Sequence, residues 1–273
     1  MTTYVIGDIQ GCYDALMKSL KKIKFNPKSD KMIFCGDLVN RGGQSLQVLR
    51  WVYKNKKCCK VVLGNHDLSL LAHYYVPKFR KKKNKEFTEI FQAKDCKKLM
   101  KWLKNQKLLI HNKQNNKVIV HAGIYPKWSL KRAKKEAKRI EIILKNNHIV
   151  FFKNMYGIKP NHWKKFIKSF DRERFVLNSL TRMRYLYKNS GLNFNAKGGV
   201  KNHSKLIPWF KYKKRVKLKP QIIFGHWSSL GLYSDKNVIC LDTGKVWGGK
   251  LTILKLRPTK IKSIKNSKHI VQI

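Results

Sequence analysis

The chain repeatedly runs an apolar segment into a glycine and then into a side chain that binds metals. Tyr4-Val5-Ile6 leads into Gly7-Asp8-Ile9-Gln10-Gly11, Met32-Ile33-Phe34-Cys35 into Gly36-Asp37-Leu38-Val39-Asn40-Arg41-Gly42, and Val61-Val62-Leu63 into Gly64-Asn65-His66-Asp67. Val118-Ile119-Val120 ends at His121-Ala122-Gly123, and Ile222-Ile223-Phe224-Gly225 ends at His226-Trp227. Short continuous apolar runs bounded by turn residues read as buried strands. One Gly-Asp after a strand is ordinary turn chemistry, and a lone His there is commonly structural. Five strand ends, each offering Asp, Gln, Asn or His, can together gather hard oxygen and imidazole ligands around a pair of metal ions.

Between the runs the period changes. Ala15, Leu16, Leu20 and Ile23 suit a helix that ends before Asn26-Pro27; Leu46, Leu49, Trp51 and Val52 suit a second, and Leu68, Leu70, Leu71 and Tyr74 a third. Residues 1–75 thus read β-α-β-α-β-α, which implies a parallel core sheet in an α/β fold. Residues 78–89 are basic and polar and are expected to form a mobile excursion. Helices are expected over 95–107 and 129–144, the latter with Ser129 as N-cap. Residues 151–215 lack clear periodicity until Phe175 and read as a cap insertion over the site. Strands follow at 221–224, 238–241 and 251–256, then a basic tail over 260–273 whose end, 269–273, suits an edge strand. No linker or internal repeat divides the chain, and the ligand candidates span Asp8 to His226, so 1–273 reads as one domain.

The formal net charge of +48 would ordinarily suggest nucleic-acid binding. The lysines, however, are spread through every helix and loop, which argues against a dedicated face. Lys, Asn and Ile share A/T-rich codons, and compositional drift accounts for the pattern. Acidic residues are correspondingly informative: only 14 Asp and Glu are present, yet Asp8, Asp37, Asp67 and Asp242 all fall in motifs. Six cysteines show no CxxC or paired framework, so reduced thiols and a cytoplasmic protein are expected. No apolar stretch approaches the ~20 residues of a membrane span. The sequence does not speak to oligomeric state.

The order and spacing of the motifs resemble the calcineurin-like metallophosphoesterases, whose pattern runs Asp-x-His, Gly-Asp-x-x-Asp-Arg, Gly-Asn-His-Glu, His and His. Gly7-Asp8-Ile9-Gln10-Gly11-Cys12-Tyr13-Asp14, Leu63-Gly64-Asn65-His66-Asp67-Leu68, His121-Ala122-Gly123-Ile124, Thr181-Arg182-Met183-Arg184 and Leu241-Asp242-Thr243-Gly244 narrow the resemblance to the symmetrical diadenosine tetraphosphatases. It runs from Tyr4 to about Leu256. It implies a central β-sandwich flanked by helices, two divalent metal ions, and cleavage of a dinucleoside tetraphosphate into two nucleoside diphosphates. Asp37 matches the bridging ligand. Asp8 and Gln10 would complete one metal site, and Asn65, His121 and His226 the other. The donor set points to Mn or Co, with Mg, Fe or Zn as alternatives.

Two departures matter. Gln10 stands where many members have His; its carbonyl oxygen is a weaker ligand than imidazole nitrogen and binds directly, through water, or only shapes the site. Asn40 stands where protein phosphatases have Asp, which argues against a protein Ser/Thr phosphatase and leaves the partner of His66 open. His66 is the candidate general acid, and Arg41 the candidate phosphate clamp. Arg182 and Arg184 would point opposite ways in a strand or diverge on a helix; in an extended segment at most one is expected on phosphate, and the resemblance favours Arg182. Trp227 is a candidate for stacking on adenine, with core packing as the alternative. RNA remains a candidate partner, through a dinucleoside-polyphosphate cap at a 5' end or through a basic binding surface on a phosphoesterase scaffold.

Overall fold

A computed structural model describes residues 1–81, 84–163, 169–196, 198–200, 203–256 and 269–273. The apolar runs form strands that are buried on both faces, and alternation along each strand sorts its side chains into two cores. In β1 (Thr3–Ile6), β2 (Lys31–Phe34) and β3 (Cys59–Val61), then β4 (Leu109–Asn112) and β5 (Lys117–Val120), successive residues point to opposite sides. Val5, Ile33 and Ile119 enter a thin layer between two sheets, while Tyr4, Ile6, Met32, Phe34, Val118 and Val120 pack outward against helices.

Two short strands, β6 (Tyr185–Leu186) and β7 (Leu192–Asn193), form a small separate sheet with β8 (Ile207–Pro208). The chain then re-enters the sandwich through β9 (Gln221–Phe224), β10 (Tyr233–Ser234), β11 (Val238–Cys240), β12 (Thr252–Leu256) and β13 (Ile270–Gln272). One five-stranded sheet has the order β13-β12-β1-β2-β3 and the other β10-β11-β9-β5-β4. Within the first, β1, β2 and β3 are parallel; within the second, β5, β9 and β11 are parallel. Each sheet therefore sends three parallel strand ends to the same edge, where α/β folds place their ligands.

Helices cover the outer faces. They are α1 (Tyr13–Lys22), α2 (Ser45–Lys54), α3 (Asn65–Tyr75), α4 (Lys85–Gln92), α5 (Cys96–Lys104), α6 (Leu130–Asn146), α7 (His148–Asn154) and α8 (Ser169–Thr181). Ser129 caps α6 by accepting from the Arg132 N–H at 3.2 Å. The Glu136 carboxylate of α6 is fully buried and takes Arg172 of α8 at 2.7 Å and Arg132 at 3.1 Å. This pair fixes α8, whose C-terminal end delivers Arg182.

One expectation changes. The excursion at 78–89 is a 3-10 turn, Pro77–Lys81, followed by α4, whose Phe87 and Ile90 are buried and whose N-cap is Asn84. Among the described residues between 151 and 215, regular structure consists of the end of α7, α8, the three two-residue strands of the small sheet and a short 3-10 turn. Most of the basic tail lies outside the described residues, but its end forms the edge strand β13, antiparallel to β12. No helix among the described residues is long and apolar enough to cross a membrane.

Candidate metal centre

The sandwich edge holds a pocket of about 250 Å³ lined by Asp8, Gln10, Asp37, Arg41, Asn65, His66, Arg182, Arg184, His226 and Asp242, among others. Each ligand candidate lies within four residues of its strand's end, and the backbone bends sharply there. Gln10, Asp37, Asn40, Arg41 and His226 all have positive φ, between 45° and 82°. Such strain in non-glycine residues concentrates at functional sites. Close approach explains one glycine: a Cβ on Gly225 would lie 1.9 Å from Asp8 Oδ1.

Backbone carbonyls fix the tautomer of both histidines, as such partners do for imidazoles that bind metal. His121 Nδ1 donates to the Cys35 carbonyl at 2.8 Å, and His226 Nε2 donates to the Arg182 carbonyl at 3.1 Å. Their other nitrogens turn inward. The Asn65 amide lies 3.2 Å from His121 Nε2 and 2.8 Å from the inward Nδ1 of His226; turned to satisfy its neighbours, it donates from Nδ2 to both rings and accepts the His66 backbone N–H on Oδ1 at 3.3 Å. Asp37 Oδ1 accepts the His66 N–H at 2.8 Å, and Oδ2 lies 3.4 Å from His121 Nε2. Ligand atoms of Asp37, His121 and His226 all fall within 4.8 Å of one another. A carboxylate and two imidazoles gathered this closely fit a cation, to which the Asn65 amide can turn its oxygen.

The family model for calcineurin-like phosphoesterases matches residues 1–229. The chain belongs to the calcineurin-like phosphoesterases. This phosphoesterase is 42% identical over 258 residues to the symmetrical bis(5'-nucleosyl)-tetraphosphatase of Vibrio parahaemolyticus, covering 93% of the chain and 95% of the relative. It is 44% identical to the protein of the same name from a Marinomonas species, covering 94% of each. Among solved structures, one provisionally described as a diadenosine tetraphosphatase superposes with a TM-score of 0.64 at 21% identity, covering 100% of this chain and 92% of that one. A Saccharomyces cerevisiae protein serine/threonine phosphatase superposes with a TM-score of 0.52 at 13% identity, covering 100% and 79%. These two likenesses concern the fold.

Electrostatics of the phosphoesterase pocket favour divalent ions. Burial, then the neighbouring Asp242 carboxylate, pushes Asp8 well above the ordinary carboxylate range, and burial lifts Asp242 to about 6. Burial also opposes ionisation of Asp37, but His121 and His66 overcome it and hold Asp37 at about 2. His226 is kept neutral by burial and by the Arg184 guanidinium. Burial opposes protonation of His121, but Asp37 and Asp8 raise its pKa to about 10, so the crowded carboxylates draw a proton onto this imidazole where a cation would otherwise neutralise them.

Asn40 answers the question of the His66 partner. Asn84 Oδ1 is committed to capping α4 through the Phe87 N–H at 3.1 Å, so its Nδ2 donates to Asn40 Oδ1 at 3.0 Å. Asn40 Nδ2 is then left to donate to His66 Nδ1 at 2.7 Å. The network assigns the His66 ring proton to Nε2, which lies 3.9 Å from Asp37 Oδ2. Burial lowers the His66 pKa, favouring this neutral form.

Other placements depart from the sequence reading. Arg182 and Arg184 both line the pocket. Arg182 still donates its N–H to the Asn178 carbonyl at the end of α8, and the chain turns before β6, so strand alternation does not apply. Trp227 does not face the pocket. It is 1% exposed, its indole N–H donates to the Gly198 carbonyl at 3.1 Å, and Tyr185 packs edge-on at 4.6 Å, so it belongs to the core. Its place at the pocket is taken by Trp247, 62% exposed, with the Arg41 guanidinium 4.7 Å from its ring centre. Asp242 is a further pocket residue without an assigned role in the sequence reading, although its motif and the scarcity of acids had singled it out.

Proposed function

We propose that this chain hydrolyses diadenosine 5',5'''-P1,P4-tetraphosphate symmetrically to two ADP, with two divalent metal ions as cofactors. The observation that carries the reading is the convergence of Asp37, Asn65, His121 and His226 on one point of a pocket also lined by three arginines. The names of relatives 42% and 44% identical along nearly the whole chain support the substrate and the symmetry.

Asp37, Asn65, His121 and His226 would hold one ion, and Asp8, Gln10 and a shared Asp37 the other. Bound there, divalent ions supply charge neutralisation and an activated water. The oxygen-and-imidazole set suits Mn or Co. Arg41, Arg182 and Arg184 bind the tetraphosphate by charge-assisted hydrogen bonds. His66 offers its Nε2–H to the leaving oxygen. A nucleoside diphosphate leaves as a stabilised anion, so a neutral donor oriented by Asn40 suffices. Trp247 offers a face to a nucleobase. Residues 1–273 act as one domain, and the 151–215 segment, which carries Arg182 and Arg184, covers the pocket. All six cysteines are free, which supports a reducing, cytoplasmic setting.

The test is to offer Mn-loaded protein diadenosine tetraphosphate, a phosphopeptide and dinucleoside-capped RNA, and to identify the products. ADP as the sole nucleotide from the first supports the reading; ATP plus AMP, or turnover of the phosphopeptide alone, contradicts it. Cap removal would extend the same chemistry to RNA.

A further inference from the structure

The metal pocket is too small for its proposed substrate. Its volume of about 250 Å³ falls below the roughly 300–1,000 Å³ of ordinary small-molecule sites, and its lining is almost wholly charged or polar. It accommodates phosphates, with Trp247 at its rim for one nucleobase. The other nucleoside must lie elsewhere.

A second cavity of about 340 Å³ opens beside it, sharing Asn65, His66 and Arg182 with the first. Beyond these shared residues the lining changes character. Leu68, Met155, Ile158 and Leu177 supply apolar surface, and Tyr156 and Ser69 supply hydroxyls. Tyr156 and Ile158 are 45% and 44% exposed, apolar surface without a full cover. The Tyr156 hydroxyl reaches Ser69 Oγ at 3.4 Å, and its ring meets Phe79 edge-on at 5.3 Å, so the phenol is held in place. Arg182 stands at the junction, anchored by the Gly157 carbonyl at 3.3 Å and Asn178 Oδ1 at 3.1 Å.

We propose that this second cavity is the binding site for the nucleoside of the leaving half. The inference rests on the dinucleoside tetraphosphate reading above and deepens it. Position decides which half. His66 lines both cavities and offers its Nε2–H to the leaving oxygen. Whatever is attached to that oxygen continues past His66, away from the ligand cluster, and the second cavity lies there. Arg182 then spans the leaving diphosphate, and the apolar and hydroxyl groups beyond it meet base and ribose, the mixed lining that such a group needs.

Two variants outside the metal and phosphate machinery test this. Ser69→Trp fills the cavity from α3, and Tyr156→Ala strips its aromatic wall. Each is measured with diadenosine tetraphosphate and with inorganic tripolyphosphate, which offers the anhydride without nucleosides, and ADP is titrated as a product inhibitor. The expected result is a KM for the dinucleoside about tenfold higher, with a matching rise in the ADP inhibition constant and kcat nearly kept, as loss of uniform binding predicts. Tripolyphosphate kinetics should not move. Unchanged dinucleoside KM in both variants, or an equal rise with tripolyphosphate, would overturn the assignment of this cavity alone. A wild-type enzyme that leaves the dinucleoside intact would overturn the substrate reading as well.

Discussion

Gly225→Ala is a one-methyl test of the geometry that seats Asp8. The added Cβ would stand 1.9 Å from Asp8 Oδ1 and 3.0 Å from its Cγ, while ordinary contacts begin near 3.4 Å. The carboxylate must retreat by about 1.5 Å, the difference between those two distances. Retreat breaks its bonds from the His226 N–H, now 3.1 Å to each oxygen. Losing a hydrogen bond to a charged group costs about 1.5–3 kcal/mol, which at about 2–4 °C per kcal/mol lowers the melting temperature by roughly 3–12 °C. Displacements near 1 Å at a reacting centre cost about 10²-fold in rate, so kcat/KM for diadenosine tetraphosphate should fall at least that far. Metal content by mass spectrometry should fall with it. Repeating the change in an Asp8→Ala background isolates the cause: with no carboxylate to displace, most of the stability loss should vanish. Wild-type kcat/KM with full metal content, or an equal loss of stability in both backgrounds, would refute the reasoning.

Three further outcomes follow from other contacts. Glu136→Gln should destabilise the fold by about 1–2 kcal/mol, through weakened charge-assisted hydrogen bonds to Arg172 and Arg132, whose guanidinium groups are partly solvated. Burial works to raise the Glu136 pKa, but Arg172 and Arg132 lower it below the ordinary glutamate value. Its contribution is therefore complete above that value and is lost as pH falls through the depressed folded value, so the variant should show a flatter acid limb in urea-melt stability. Trp247→Ala should raise KM for the dinucleoside with the melting temperature kept, whereas Trp227→Ala should lose about 3–5 kcal/mol of stability as a buried aromatic; the reverse pattern in kinetics and melts would contradict the reassignment. Gln10→His should lower the metal concentration for half-maximal rate, and a titration identical to wild type would place residue 10 outside the coordination sphere.

The strand ends were legible because burial on both faces forces continuous apolar runs, and a turn after such a run leaves few residue types able to serve there. Alternation of Val5 against Tyr4 and Ile6 was invisible as polarity, since all three are apolar, so the two-layer packing emerged only from the structure. The helix α4 was hidden by basic flanks, although Asn84 with Phe87 and Ile90 carried a cap and a helical spacing. Arg182 and Arg184 were separated by an extended-chain argument that a helix end invalidates. Trp227 and Trp247 show the limit most clearly: adjacency to His226 in sequence led into the core, while the indole at the pocket comes from a loop 21 positions later (247 minus 226). The Asn84–Asn40–His66 chain joins the cap of α4, the loop after β2 and the first turn of α3, and no local pattern announces it.

Anomalous diffraction from crystals soaked in Mn tests the central claim most directly. Two peaks about 3.5–4 Å apart are predicted at the sandwich edge, one among Asp37, Asn65, His121 and His226 and one beside Asp8 and Gln10, with Asp37 touching both. A single peak, or a pair that leaves Asp37 uncoordinated, in crystals of protein active in the same Mn buffer would contradict the account.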